Sequence, residues 1–202
     1  MIYVSKHAWN VYAAWVLFTE AVGALAGWLT RSGIQLYTQT VTQPPLAPPP
    51  IVFPIVWAIL YALMGIGGAR VFLSVSSLSR TRGLVLYLLQ LAVNFCWPLL
   101  FFSLRAYGLS LVWLALLWVL IWVMLAAFRR VDPLAAWLQL PYLLWVSFAL
   151  YLNWGVWQLN SYSRQFPHAA KQSSRRGACR GGSSVDKKGR EGSGAGIIKK
   201  GQ

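Results

Sequence analysis

The sequence predicts an all-α membrane protein: a bundle of five transmembrane helices followed by a disordered, basic C-terminal tail. Of its 202 residues, 57% are hydrophobic and 11% are charged, whereas soluble domains carry about 25% charged residues. Five apolar segments reach about 20 residues, the length that a helix needs to cross a bilayer. These segments do not alternate between apolar and polar residues, which argues against a transmembrane barrel. We therefore expect an integral, multi-pass protein in contact with membrane lipid.

The charge distribution divides the chain near residue 160. Residues 1–160 carry eight Lys or Arg and two acidic residues, a net charge of +6, whereas 161–202 carry ten and two, a net charge of +8. We interpret 1–160 as the transmembrane domain and the Gly/Ser/Lys/Arg-rich segment 161–202 as a disordered tail. The tail either binds lipid headgroups or is an altered reading frame without function. Because the net positive charge is divided between an apolar, membrane-like part and a polar tail, it does not indicate nucleic-acid binding.

The first predicted span, 9–30, carries Glu20 near its middle and Gly23 and Gly27 four residues apart. A carboxyl at that depth is costly, so we expect it to face the bundle or to be protonated and neutral. Its role is either functional or that of a hydrogen bond that holds helices together. The two glycines let another backbone approach closely, within the monomer or, alternatively, across a dimer contact.

A stiff loop, 31–50, leads into the second predicted span, 51–73. Its proline run excludes helix because each ring lacks an N–H and restricts the residue before it. Pro54 falls in the first turn of the span, where a missing N–H costs nothing. Trp57 and Tyr61 are four residues apart and share one helix face. This pattern indicates the mouth and first wall of a pocket.

The third predicted span, 84–104, carries Asn94 and Trp97 on one face and then Pro98. Pro98 cannot donate to the carbonyl of residue 94 and opens that turn. The amide and the freed carbonyl either receive a polar group of a ligand or are satisfied by neighbouring helices. The tryptophans of the fourth span, 107–128, are interpreted as lipid-facing or helix-packing rings: Trp113, Trp118 and Trp122.

The fifth predicted span, 133–158, places Trp145 and Ala149 on one face, and Phe148 adjoins that face. Trp154 and Trp157 lie at the far end, where an aromatic belt at the membrane interface explains them. Trp145 is too deep for a belt and is a candidate for the pocket.

Taken together, these motifs resemble the TspO/MBR family of tryptophan-rich sensory proteins, which includes the mitochondrial translocator protein (peripheral-type benzodiazepine receptor). The matching stretches lie in four of the five spans, in the family's order: 23–31 with 44–49, 53–65, 90–102 and 130–160. The resemblance implies a five-helix bundle, often a homodimer, that binds tetrapyrroles such as protoporphyrin IX and haem. It also implies binding of isoquinoline or benzodiazepine drugs and, in animal members, of cholesterol.

Carried over by motif, the resemblance implies a ligand site on three spans under a loop lid. The ligand-binding residues are Trp57, Tyr61, Asn94, Trp97, Trp145 and Ala149, with Phe148 beside them, and the lid residues are Pro44, Pro45, Leu46 and Pro48. The chain departs from the family in two places. The loop 31–50 lacks the tryptophan that members commonly carry there, and Gln158 replaces the basic residue of the proposed cholesterol motif. Cholesterol binding is therefore not predicted.

The predicted function is that of a membrane-embedded sensory or regulatory protein that binds a tetrapyrrole or another flat hydrophobic molecule. Two alternatives are a light-dependent, porphyrin-degrading activity and transport of porphyrin or other small hydrophobic ligands. No catalytic residue, obligatory cofactor or metal site is predicted, because the sequence contains no acid–base pair, nucleophile or cluster of metal ligands. Free porphyrin is favoured over haem, because no His or Cys joins the site except, at most, Cys96. Arg31 or Arg105 is expected to meet the propionates.

The basic residues of the loops predict the orientation in the membrane. Most of them fall on the N-terminal side of a five-span arrangement: Lys6, Arg80, Arg82, Arg129 and Arg130. The positive-inside rule then places the N-terminus in the cytoplasm, if the protein lies in a bacterial inner membrane.

Overall fold

The structure, a computed structural model, describes residues 6–165, with side chains from 8 to 161. Helices are the only regular secondary structure in that part of the chain, and short loops join them. Five of its helical segments are long and apolar enough to cross a membrane. The predicted all-α class with five transmembrane helices is therefore confirmed. The tail was predicted to begin at residue 161, but the last helix runs to Gln165. The remainder of the predicted tail, 166–202, lies outside the described residues. The α-helices are α1 (Lys6–Thr40), α2 (Val52–Leu73), α3 (Leu78–Pro98), α4 (Tyr107–Arg129), α5 (Pro133–Trp137) and α6 (Leu140–Gln165).

Helix α1 is longer than the predicted span, which was expected to end at residue 30. Its 35 residues reach about 52 Å at 1.5 Å per residue, well beyond the thickness of the hydrocarbon core. The last turns stay helical because no proline occurs before Pro44 and because one side of them is packed. The Tyr37 ring lies 5.4 Å from Phe101 and 5.3 Å from Phe102. The first half of the predicted loop 31–50 is therefore helix and part of the wall of the bundle.

Helix α3 runs through Pro98 without a break, and the chain then continues as a π-helical turn, Leu99–Ser103. The opening of the turn at residue 94 stays a prediction. A neighbouring helix satisfies part of the backbone here, since the Trp113 indole nitrogen donates to the Val93 carbonyl at 2.9 Å. Trp113 is thus one of the helix-packing rings that the sequence allowed. The π-turn directs Phe101 and Phe102 toward the interior of the bundle. Phe101 is buried there.

The fifth predicted span is two helices, α5 and α6, because Pro141 lacks the N–H that a continuous helix would use and restricts residue 140 before it. Asp132 caps α5: its carboxylate accepts hydrogen bonds from the backbone N–H groups of Leu134, at 2.9 Å, and Ala135, at 3.2 Å. The same carboxylate pairs with the Arg70 guanidinium at 2.8 Å, which attaches the start of α5 to the end of α2.

Candidate ligand cavity

A cavity of about 520 Å³ lies between α1, α2, α3 with its π-turn, and α6, next to the 41–51 loop. This volume is within the range of about 300–1,000 Å³ that small-molecule sites occupy. Its wall is mostly apolar, and eight aromatic side chains contribute to it: Tyr37, Phe53, Trp57, Tyr61, Trp97, Phe101, Phe102 and Trp145.

The structure brings six of the seven predicted ligand-binding residues into this one wall: Trp57, Tyr61, Asn94, Trp97, Trp145 and Ala149. Phe148 is the exception. It lies in a shallow apolar groove on the other side of Trp145, with Val56 and Leu144. On a helix, residue 148 is rotated by about 100° from residue 149. Because the cavity faces Ala149, Phe148 turns away from it. That these residues bind a ligand stays a prediction.

The aromatic rings of the wall form pairs across and along the helices. The Trp57 and Tyr61 rings are 5.5 Å apart and tilted by 31°, as their spacing on α2 predicted. The Trp97 ring stacks on Phe101 at 5.2 Å, and the Trp145 ring meets Phe53 edge-on at 5.8 Å. These separations are in the range of favourable aromatic contacts.

Sequence reasoning missed four aromatic residues of the wall: Tyr37, Phe53, Phe101 and Phe102. Phe53 lies four residues before Trp57, so the same face rule would have identified it. Phe101 and Phe102 face the cavity because they lie in the π-turn. A π-turn changes the rotation per residue, so the α-helical spacing rule does not predict which way these two side chains point. Tyr37 was assigned to a loop.

Three of the polar groups in the mostly apolar wall bear on what it can bind: the Asn94 amide, the Trp97 indole nitrogen and the Glu20 carboxyl. The Asn94 amide nitrogen donates to the Tyr61 hydroxyl at 3.3 Å. Trp97 is 8% exposed, and its indole nitrogen has no hydrogen-bond partner among the described residues. Glu20, half-buried, also lines the cavity, as expected for a carboxyl that faces the bundle. The wall therefore offers donors and an acceptor to an occupant.

Gly23 and Gly27 of α1 have roles other than close backbone packing within the protomer. A Cβ at Gly23 would overlap the Tyr61 ring, so this glycine makes room for a side chain. A Cβ at Gly27 would meet no atom within 4 Å, and Gly27 lines the cavity. The expectation that another backbone comes close within the monomer is therefore wrong at Gly27. Close approaches to backbone occur instead at Gly33 of α1, whose Cβ would lie 2.6 Å from the Phe102 carbonyl oxygen, and at Gly65 of α2, whose Cβ would lie 2.6 Å from the Val16 Cα.

The predicted lid is attached to α6, and its residues divide into two groups. Pro48 lines the cavity, as do its neighbours Ala47 and Pro50. The other three predicted lid residues do not: Pro44 fits against Gly155, the Pro45 carbonyl accepts from the Tyr151 hydroxyl, and Leu46 is 79% exposed.

A further pair of hydrogen bonds fixes the start of the lid. The Asn160 amide donates to the Thr42 carbonyl at 3.1 Å and accepts from the Thr42 N–H at 3.3 Å. The lid is thus held from one helix, α6, at two separate points.

Neither of the arginines expected to meet the propionates lies in the cavity wall. Arg31 and Arg105 are exposed and absent from its wall, and the Arg31 guanidinium lies over the Trp28 ring at 5.1 Å. Within the described residues, no group of three His, Cys, Asp or Glu side chains is placed to hold a metal ion.

Comparison with known proteins agrees with this architecture. The profile of the TspO/MBR family matches residues 15–158. Tryptophan-rich protein TspO from Chlorobaculum tepidum is 38% identical over 141 residues, which cover 69% of this chain and 89% of that protein. Translocator protein from Bos taurus is 35% identical over 159 residues, 77% of this chain and 94% of that protein. Protein CrtK from Rhodobacter capsulatus is 36% identical over 99 residues, 48% of this chain and 62% of that protein. The chain therefore belongs to the TspO/MBR family of multi-pass membrane proteins.

Proposed function

We propose that this protein binds a tetrapyrrole, with protoporphyrin IX as the first candidate, and acts as a sensory or regulatory protein of the membrane. One observation carries the proposal: indole and phenol rings from α2, α3 and α6 converge on a single apolar cavity next to a proline-rich loop. Aromatic contacts contribute about 0.5–1.5 kcal/mol each beyond area burial. Burial of the apolar ring surface adds about 25 cal/mol per Å². A flat macrocycle would gain binding free energy both from aromatic contacts and from burial of its apolar surface.

The side chains of the wall favour a metal-free macrocycle. Among the described residues that line the cavity there is no His, Cys or Met, the side chains that most often hold haem iron. Cys96, the thiol nearest in sequence to the predicted site, is not part of the wall. The wall can therefore stack on a porphyrin and hydrogen-bond to it without coordinating a metal.

Replacing either of two tryptophans should test this site directly. We expect Trp57→Ala and Trp145→Ala each to weaken protoporphyrin IX binding at least about tenfold, or about 1.4 kcal/mol. Each change removes one stacking surface and leaves the other walls in place. The measurement is a fluorescence titration of purified protein in nanodiscs. Trp154→Ala is the matched control, because Trp154 is on the same helix as Trp145, 50% exposed and away from the wall. Unchanged affinity in both cavity variants would refute the assignment.

The same material separates binding from the two alternatives. Stoichiometric quenching without a product supports a binding protein. Loss of porphyrin absorbance that needs both light and Trp145 supports a porphyrin-degrading activity. Flux of porphyrin across proteoliposomes supports a transporter. The homodimer that the resemblance implies stays a prediction.

We also propose that the N-terminus faces the cytoplasm. Arg129 and Arg130 lie at the end of α4, and Arg80 and Arg82 lie in the first turns of α3, at the membrane side that the positive-inside rule assigns to the cytoplasm. In a Cys96→Ser, Cys179→Ser background, we expect Leu46→Cys in the lid to react with an impermeant maleimide on intact cells. Ser76→Cys, between α2 and α3, should react only after lysis. The reverse pattern would overturn this orientation.

A further inference from the structure

A single carboxyl occupies the end of the cavity that is farthest from the lid. Of the α1 residues in the wall, Glu20 is the most distant from Thr40, by 20 residues or about 30 Å along the helix. It lies one turn before Gly23, against which the Tyr61 ring packs. No Lys, Arg or His belongs to the described wall. Glu20 is therefore the only residue of the described cavity wall that can carry a formal charge.

Glu20 has no hydrogen-bond or ion-pair partner among the residues that the structure describes. The one ion pair in the described part of the chain joins Arg70 to Asp132. Within residues 8–161, the Glu20 side chain takes part in no hydrogen bond. An unpaired carboxylate at this depth is unfavourable, because the hydrocarbon region does not solvate it. A cation brought next to it by a ligand would offset that cost.

The remainder of the wall also suits a ligand that carries a positive charge. The faces of indole rings attract cations, and Trp57, Trp97 and Trp145 all line the cavity. The Trp97 indole nitrogen, buried and without a partner in the described residues, is in addition a donor available to an acceptor atom on the ligand. The occupant for which this wall is suited is flat, aromatic and cationic, with an acceptor atom elsewhere on the ring system.

We propose that, among flat aromatic ligands of similar shape, the cavity prefers those that bear a positive charge, and that Glu20 is the residue that binds this charge. The inference rests on the proposed function, because it takes the same cavity as the ligand site, and it adds the class of ligand. For tetrapyrroles, it favours macrocycles with amine substituents over those whose carboxylates would point toward Glu20. A bound dicarboxylate porphyrin is expected to direct both of its carboxylates toward the lid.

Two probes of similar shape and different charge test this inference. 9-Aminoacridine is protonated at neutral pH, whereas acridine is largely uncharged. Both are titrated by fluorescence against the full-length protein in nanodiscs of zwitterionic phosphatidylcholine, with protein-free nanodiscs subtracted. We expect the wild type to bind 9-aminoacridine at least tenfold more tightly than acridine. Glu20→Gln should abolish that preference with little effect on acridine, and Glu20→Asp, which keeps the charge, should retain part of it.

Several outcomes would overturn the inference. These are equal binding of the two probes by the wild type, no binding of either, or a preference that persists in Glu20→Gln. A change in oligomeric state in Glu20→Gln, with no change in probe preference, would assign the carboxyl to a contact between copies and would also overturn it. Protoporphyrin IX is titrated in parallel: if it fails to bind while the Glu20-dependent preference holds, the proposed function fails alone.

Discussion

A Gly27→Leu variant is expected to lose at least about 100-fold in protoporphyrin IX affinity, or about 2.8 kcal/mol, while the protein remains folded. The Cβ position of Gly27 meets no atom within 4 Å, and the residue is part of the cavity wall. A leucine side chain can therefore extend into the space that the ligand would use without displacing protein atoms. The substitution also replaces glycine within a helix, which by itself favours the helix by roughly 0.5–1 kcal/mol.

The control for this variant is Ala21→Leu, which adds the same side chain to an exposed position of α1 outside the wall. Its affinity should match that of the wild type. Both variants should have unfolding midpoints at or above the wild-type value, measured by thermal denaturation in the same detergent. If Gly27→Leu binds porphyrin as the wild type does, the ligand occupies some other part of the molecule.

A Gly65→Val variant is expected to lose roughly 3 kcal/mol of stability. The Cβ at this position would lie 2.6 Å from the Val16 Cα and 2.8 Å from the Thr19 hydroxyl oxygen. Because the first of these is backbone, relief requires α1 and α2 to move apart. That movement would also break the hydrogen bond from the Thr19 hydroxyl to the Tyr61 carbonyl, at 2.9 Å. The measurement is the unfolding midpoint in denaturant or on heating.

Gly27→Val is the matched control for Gly65→Val, because it introduces the same β-branched side chain into a helix at a glycine with open space around it. We expect its midpoint to be close to that of the wild type. Equal midpoints for the two valine variants would mean that α1 and α2 are not in contact at Gly65.

Spacing along a single helix was the part of the site that could be predicted. The pairs Trp57 with Tyr61, Asn94 with Trp97, and Trp145 with Ala149 each share a face, because residues three or four apart in an α-helix always do. Each of these statements concerns local backbone geometry, and the structure agrees with each of them.

Rotation of each helix about its own axis was not predictable in the same way. In a soluble helix the polar face marks the outside, but lipid and bundle interior are both apolar, so this signal is weak in a membrane. Phe148 was accordingly placed in the site, although it faces a groove on the other side of Trp145. Gly27 was read as a packing residue for the same reason, although it borders the cavity.

The sequence by itself determined the number of spans, the stiff loop and the aromatic pairs, because length, proline and helical period act through the nearest few residues. Only the tertiary structure decided which faces meet, how far α1 extends past residue 30, and that Glu20 lies in the same wall as the tryptophans. Those outcomes depend on how ridges, glycines and rings of separate helices fit against one another. Such contacts join residues that are far apart in the chain.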